Sequence, residues 1–385
     1  MKNLVIIMIF LSQLLVASVM VKAVKVPGNV SNLSPISKAW LSSSYVNIIL
    51  YPQVTINTNE ENRAKKVRVK AIYDGKNISF LVKWKENIQD VYSSALYGSG
   101  FAIQFPVNYS DVDKLPYIWM GSKGRAVVMQ LEKSTGDIYE PNDDVNNQIN
   151  ESNQSIFKEE LENNTSEIES KKNVDYQKNF ISEGFYVVSK IKDSSAVGKM
   201  QMVYKNGYWR VTLSRPLKST YLNLDSGAFP ISFAILDGDM ENRAKLKQLS
   251  AWTIVKLVGK SGGEKIVDAL SDEVKGDIVN GEKIVLENCA VCHRYTDVNT
   301  APEFMAPNLS TIGGYSTKEY LMESMVNPSA VIVPDYGKNT NKDFSWTNVD
   351  SNGNLVSTMP SYDWLDKKSR DDVVAYLKSL KAKVE

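Results

Sequence analysis

Residues 289–293 read Cys289-Ala290-Val291-Cys292-His293, and this stretch holds both cysteines and the single histidine of a 385-residue chain. That concentration excludes much at once. A His-ligated multi-metal centre cannot be assembled, no serine or cysteine triad can form elsewhere, and no disulfide framework exists without a second cysteine pair. A structural zinc site needs four ligands, which the chain does not supply. A thioredoxin-like pair needs a βαβ setting, which the neighbouring sequence lacks. Two thiols one helical turn apart can reach a flat porphyrin ring, and a histidine beside the second thiol can stand perpendicular to that ring over its metal. The motif therefore reads as covalent haem attachment, with Cys289 and Cys292 as thioethers and His293 on the iron.

Upstream, Ile278, Ile284, Val285 and Leu286 lead into the motif at helical spacing. Downstream, Ser316 with Glu319 forms a capping box for a helix predicted to run to Asn327 and stop at Pro328. A last helix is predicted from near Asp366, with Val373, Val374, Tyr376, Leu377 and Leu380 as its apolar stripe. Three short helices with long loops predict an all-α domain over residues 276–385.

Before residue 259 the dominant period is two. Val67, Val69, Ala71 and Tyr73 alternate with polar neighbours, Asp74-Gly75 supplies a turn, and Ile78, Phe80, Val82 and Trp84 return. A second hairpin runs through Met200, Met202 and Tyr204, turns at Asn206-Gly207, and returns from Tyr208 to Leu213. With further strands at 102–105 and 231–235, residues 24–258 are predicted to form an all-β antiparallel sandwich, so the fold class is multidomain. Hydrophobic residues make up 43% of the chain, ample for two cores. The low-complexity stretch 134–173, rich in Asn, Ser and Glu, cannot bury enough apolar surface to offset chain entropy and is predicted to be a surface insertion. Residues 259–275, with Ser261-Gly262-Gly263, read as an interdomain linker.

Lys+Arg 45 against Asp+Glu 44 leaves a net charge of +1, which provides no footprint for nucleic acid. After Met1-Lys2-Asn3, an apolar run from Leu4 to Val21 leads to Val21-Lys22-Ala23, a small-residue cleavage pattern, so residues 1–23 read as a secretory signal peptide. Left uncleaved, the run is also long enough to anchor the chain, the one setting in which membrane contact is expected. The expected location is extracytoplasmic: periplasmic, cell-surface or secreted. Asn29, Asn32, Asn77, Asn108, Asn150, Asn153, Asn163, Asn164 and Asn308 satisfy N-x-S/T and mark acceptors for glycosylation in such a setting.

Asn280-Gly281 through Asn288, the motif itself, Ala306-Pro307-Asn308-Leu309, Asn327-Pro328 and Met359-Pro360 before the final Tyr-Leu helix together resemble class I cytochrome c. The resemblance implies that the Pro307 carbonyl orients His293 and that Met359 is the sixth ligand of the haem c iron. Met305, Met322 and Met325 are the rivals. The last two have the helical spacing of packing residues, and Met305 lies closer to the histidine than a loop crossing the ring usually allows. His/Met ligation raises the reduction potential and leaves no open coordination position, so electron transfer is expected rather than catalysis.

Asp74-Gly75 with Phe80-Leu81-Val82-Lys83-Trp84, Phe101 to Pro106, Pro116 to Gly121, Gly207-Tyr208-Trp209 with Arg215-Pro216-Leu217, and Asp237-Gly238 with Lys247 to Trp252 carry a second resemblance. They are similar to the haem-b-binding subunits that accompany molybdenum enzymes such as ethylbenzene dehydrogenase and dimethylsulfide dehydrogenase. This implies a non-covalent haem b held between Met120 and Lys247, with Lys245 as the alternative lysine. On residue chemistry alone Met120 reads as a core methionine and Lys247 as a surface lysine. Gly98-Ser99-Gly100 stands where the family usually carries an acidic residue. The implied protein is an exported electron carrier with haem c and haem b. It passes single electrons between a redox enzyme, a molybdopterin enzyme with an iron–sulfur subunit, and a respiratory acceptor. The competing reading is a monohaem cytochrome c whose sandwich is a binding or docking module.

Overall fold

The structure, a computed structural model, describes residues 19–52, 64–86, 99–117, 120–134, 176–184, 187–193, 195–236, 248–271, 274–295, 301–302, 304–333 and 345–384. The insertion from residue 135 onward, Lys245, Lys247 and the apolar run through Ser18 lie outside the described residues.

In chain order the strands of the first domain are β1 (Met20–Lys25), β2 (Val46–Pro52), β3 (Lys65–Tyr73), β4 (Asn77–Lys85), β5 (Gly100–Pro106), β6 (Val127–Lys133) and β7 (Tyr176–Ser182). They continue as β8 (Val188–Lys190), β9 (Lys199–Tyr204), β10 (Tyr208–Pro216), β11 (Ala228–Leu236), β12 (Gln248–Leu249) and β13 (Thr253–Leu257). Both sequence-read hairpins form. In the first, Val69 faces Val82 and Ala71 faces Phe80, and the Asp74 carboxylate accepts from the Lys76 and Asn77 amides, each at 2.7 Å. In the second, Asn206 and Gly207 both take positive φ, 53° and 72°, which matches the right-handed twist of the strands they join.

One half of the sandwich runs β9-β10-β4-β3-β2 and the other β8-β7-β6-β5-β11. Phe80 and Trp84 of β4 meet Phe105 and Phe101 of β5 across the core, at centroid distances of 6.4 and 5.9 Å. The halves are joined twice, by β12 between β11 and β2, and by the pair β1 and β13. Here the structure departs from a purely antiparallel sandwich. Strand β1 runs parallel to both β13 and β3, because it closes the gap between two strands that already run the same way. Val21 and Ala23 are buried in that closure. The sequence-expected cleavage point after Ala23 falls inside β1, since Met20 to Ala23 pair in register with Ile254 to Leu257.

The stretch expected to be a linker carries a helix, α1 (Glu264–Ser271), whose Ile266 is buried in a cluster with Ala228 and Ile254 of the sandwich. Gly263 makes this possible: its φ is +82°, and a Cβ there would lie 2.6 Å from Ala228. Packing, which a Gly-rich composition does not reveal, converts the linker into part of the domain.

The second domain has α2 (Ile278–Asn288), α3 (Lys318–Val326) and α4 (Lys367–Ser379). Thr317, not Ser316, caps α3, accepting from the Tyr320 amide, while Asp277 and Asp366 cap the other two. Helices α2 and α4 cross at Gly281, where a Cβ would sit 2.5 Å from the Asp372 carbonyl carbon and 3.0 Å from Tyr376 Cβ. Asp372, buried in the crossing, accepts from the Asp277 amide at 2.8 Å, Asn280 Nδ2 at 2.7 Å and Lys368 Nζ at 2.7 Å. A short hairpin, β14 (Thr347–Val349) with β15 (Leu355–Ser357), adds strand to a domain expected to be wholly helical.

The domains share an apolar cluster that takes Leu115, Tyr117 and Trp252 from the sandwich and Tyr315, Leu321 and Leu377 from the helices. Thr311 donates to the Pro52 carbonyl at 2.8 Å, and the Ala64 amide to the Lys383 carbonyl at 2.8 Å.

Candidate functional site

Helix α2 ends at Asn288 and the chain tightens into one further turn. The Cys289 amide donates to the Val285 carbonyl at 2.8 Å, and the His293 amide to the Cys289 carbonyl at 2.8 Å. That turn places two free, half-buried cysteines and the imidazole on one short arc. His293 Nδ1 lies 2.8 Å from the Pro307 carbonyl oxygen. A carbonyl can only accept, so Nδ1 carries the proton and Nε2 keeps its lone pair for a metal. Burial lowers the His293 pKa, against an opposing contribution from Pro307, and the neutral form is the one that ligates. Burial pushes the Cys289 thiol up to about 11. The Pro307 loop is itself pinned, with the Leu309 amide donating to the Arg294 carbonyl at 2.8 Å. Two thiols free to form thioethers and an imidazole held in the ligating tautomer fit a covalently attached haem.

Met359 is half-buried, its amide donating to Ser357 Oγ at 3.1 Å. Its loop is organised by Trp346, a buried side chain whose Nε1 donates to the Phe304 carbonyl at 2.7 Å and whose carbonyl accepts the Thr358 amide at 3.0 Å. Tyr362 ties this loop to the motif: its amide donates to the Met325 carbonyl at 2.7 Å and its hydroxyl to the Asn288 carbonyl at 2.9 Å. Among the rivals, Met325 is buried on α3, Met322 lies half-buried one turn away, and Met305 sits in a tight turn with its amide on the Pro302 carbonyl at 3.1 Å. Sequence reading missed Tyr295. It is fully buried, its ring meets Tyr376 edge-on at 6.2 Å, and burial raises its pKa to about 12.

In the sandwich, Met120 has φ +72°, a left-handed conformation that costs a non-glycine residue roughly 1–2 kcal/mol. Two hydrogen bonds to its carbonyl hold it there, from Ser182 Oγ at 2.6 Å and the Gly184 amide at 2.9 Å. The next residue, Gly121, is also left-handed, and a Cβ there would lie 2.7 Å from the Arg125 oxygen and 2.8 Å from the Ser182 oxygen. The Met120 side chain is half-buried against the interdomain cluster. Tyr117 stacks on Tyr320 of α3 at 4.2 Å and 25°, and Arg125 binds Glu323 of α3 with both nitrogens, at 2.8 and 2.6 Å. Nothing local in the sequence signals these pairs, whose partners lie about two hundred residues apart. Lys247 and Lys245 fall outside the described residues. The Glu86 carboxylate is buried and accepts from Ser99 Oγ at 2.5 Å, Trp84 Nε1 at 2.9 Å and Trp209 Nε1 at 2.8 Å.

Residues 37–248 match the family model described as ethylbenzene dehydrogenase, and residues 278–381 match the one described as cytochrome c. No curated protein matches the chain. Among solved structures, a carbohydrate binding module of family 9 from Caldicellulosiruptor kristjanssonii in complex with glucose is 9% identical, over 63% of this chain and 97% of that chain, with a TM-score of 0.34. A putative carbohydrate-binding protein from Bacteroides uniformis is 8% identical, over 63% of this chain and 100% of that chain, with a TM-score of 0.34.

Proposed function

Because this chain belongs to the ethylbenzene dehydrogenase family through residues 37–248 and continues into a cytochrome c domain at 278–381, we propose that it is an exported dihaem cytochrome passing single electrons between a redox enzyme and a respiratory acceptor. The observation that carries the reading is the 2.8 Å contact between His293 Nδ1 and the Pro307 carbonyl beside two free cysteines. Haem, when bound, supplies a one-electron change at iron. The chain's own part is to fix the imidazole tautomer of His293 and to hold the loop of Met359 through the Trp346 and Tyr362 contacts, so that Met359 would serve as the second protein ligand and complete the ligand set.

In this reading haem b is held in the sandwich by Met120 and Lys247. The strained, doubly hydrogen-bonded backbone of Met120 supports it, since such conformations cluster where side-chain placement serves function. As a ligand Lys247 would have to be a neutral amine, because an ammonium has no lone pair. The redox enzyme is a molybdopterin oxidoreductase with an iron–sulfur subunit, and the protein works outside the cytoplasm. Among the described residues no helix is long and apolar enough to cross a membrane.

A pyridine haemochrome spectrum combined with acid-acetone extraction tests the proposal. Equal amounts of extractable haem b and retained haem c are expected, and a single c-type band overturns the two-haem reading. Lys247→Ala is expected to remove or shift haem b while leaving the Met-to-iron charge-transfer band of haem c intact.

A further inference from the structure

We propose that the seam between the Met120 turn and α3 is the crossing point for electrons between the two halves of this protein, with the Tyr117–Tyr320 stack as its contact and the Arg125–Glu323 pair as its clamp. The proposal rests on Met120 as a haem b ligand and adds the route and the residues that hold it.

Met120 lies three residues after Tyr117 and five before Arg125, and both of those residues grip α3. The turn cannot move freely between its two anchors. Gly121 is packed against the Arg125 and Ser182 carbonyls, and the Met120 carbonyl is tied to Ser182 and Gly184. The helix that receives Tyr117 is linked through Tyr362 to the residue that precedes the c-haem motif. The Met325 carbonyl of α3 accepts the Tyr362 amide at 2.7 Å, and the Tyr362 hydroxyl reaches the Asn288 carbonyl, one residue before Cys289, at 2.9 Å. Met359 is three residues before Tyr362 in the same loop. Helix α3 therefore contacts both the residues that flank Met120 and the loop that carries Met359. The contact is aromatic and shielded: Tyr117 is 5% exposed, and its ring lies 4.2 Å from that of Tyr320. The Arg125–Glu323 bond is bidentate, the geometry that fixes orientation as well as strength.

With both haems bound, the step would oxidise a ferrous iron on one side of the seam as it reduces the ferric iron on the other. One electron crosses, no atom or proton moves between domains, and an external one-electron reductant refills the donor.

The test uses the purified two-haem protein, oxidised and then given a substoichiometric pulse of photoreduced flavin, with the b and c absorption bands followed separately. Wild type is expected to equilibrate in one phase independent of protein concentration. Glu323→Gln removes the charge but little volume at a partly exposed site, and is expected to slow that phase on the order of five- to tenfold, with both haem spectra and potentials unchanged. Tyr320→Leu is expected to slow it as well, and Lys283→Ala on the exposed face of α2 to leave it alone. Unchanged rates in both seam variants, or a wild-type phase that scales with concentration, overturn the proposal. Met120→Ala separates the two levels: retention of an unaltered haem b sinks the ligand reading, whereas its loss together with normal crossing in the seam variants sinks the seam alone. Should Tyr320→Leu fail to fold, Glu323→Gln decides.

Discussion

Replacing Gly281 by alanine tests the architecture of the haem c domain where sequence intuition points the wrong way. Gly281 is interior to α2, and on helix propensity alone alanine stabilises by about 1 kcal/mol. At the α2–α4 crossing the added Cβ would lie 2.5 Å from the Asp372 carbonyl carbon and 3.0 Å from Tyr376 Cβ, with the Asp372 oxygen nearer still. Carbon atoms in favourable contact are about 3.5–4.0 Å apart, so the helices must separate by roughly 1 Å. That gap forfeits about a quarter to a half of each dispersion contact along the seam, where Val285, Val373, Tyr376 and Leu377 are buried. Overpacking against backbone belongs near the top of the usual range, about 3 kcal/mol, which leaves a net loss of about 2 kcal/mol after propensity is credited. For a domain near a hundred residues that corresponds to a fall in Tm of roughly 8–16 °C. Thermal melts of the full protein followed at the c-haem Soret and Met-to-iron bands measure it. A Gly281→Ala protein that melts at the wild-type temperature or above refutes the close crossing.

Asp372 offers a pH test at the same crossing. The hydrogen bond from Lys368, then those from the Asp277 amide and Asn280, hold its pKa at about 2 against an ordinary value of 3.8. A depressed carboxylate stabilises above its unfolded pKa and loses that contribution as pH falls through the folded one, so about 1–2 kcal/mol should disappear between roughly pH 4 and pH 2. Denaturant titrations should show this acid limb flattened in Asp372→Asn. Trp346→Ala removes a 6%-exposed indole that organises the Met359 loop and is expected to weaken or abolish the Met-to-iron band while the thioether-bound haem stays attached, as read by optical and haem-stain assays. A chain starting at Val24 lacks four of the six residues of β1, the buried Val21 and Ala23 among them, and should unfold at least 2 kcal/mol more readily than one starting at Val19. Paired denaturation curves measure that difference, and mass spectrometry of the purified protein is expected to place its first residue at or before Met20.

The hairpins around Asp74-Gly75 and Asn206-Gly207 were legible because turn chemistry and strand alternation are local, and so was the His293–Pro307 pair once the loop motif was recognised. Thr317 displaced Ser316 as the α3 cap because Ser316 is buried on the preceding turn, a difference of one position that spacing alone does not resolve. The helix in the expected linker escaped notice because its stability comes from Ile266 in a cluster with Ala228 and Ile254 rather than from its own residues. Strand β1 was hidden for a related reason. A strand buried between two neighbours reads as an apolar run, and here that run continues the apolar residues that begin at Leu4.

Sequence by itself determined the chemistry of this protein: with both cysteines and the only histidine in one pentapeptide, the covalent haem had one place to go, and any second iron had to find ligands of other kinds. Only the tertiary structure decided how the two domains meet. The left-handed backbone of Met120, the Tyr117–Tyr320 stack and the Arg125–Glu323 bond join residues far apart along the chain. Their partners lie about two hundred positions apart in sequence, so no local pattern of residues encodes them.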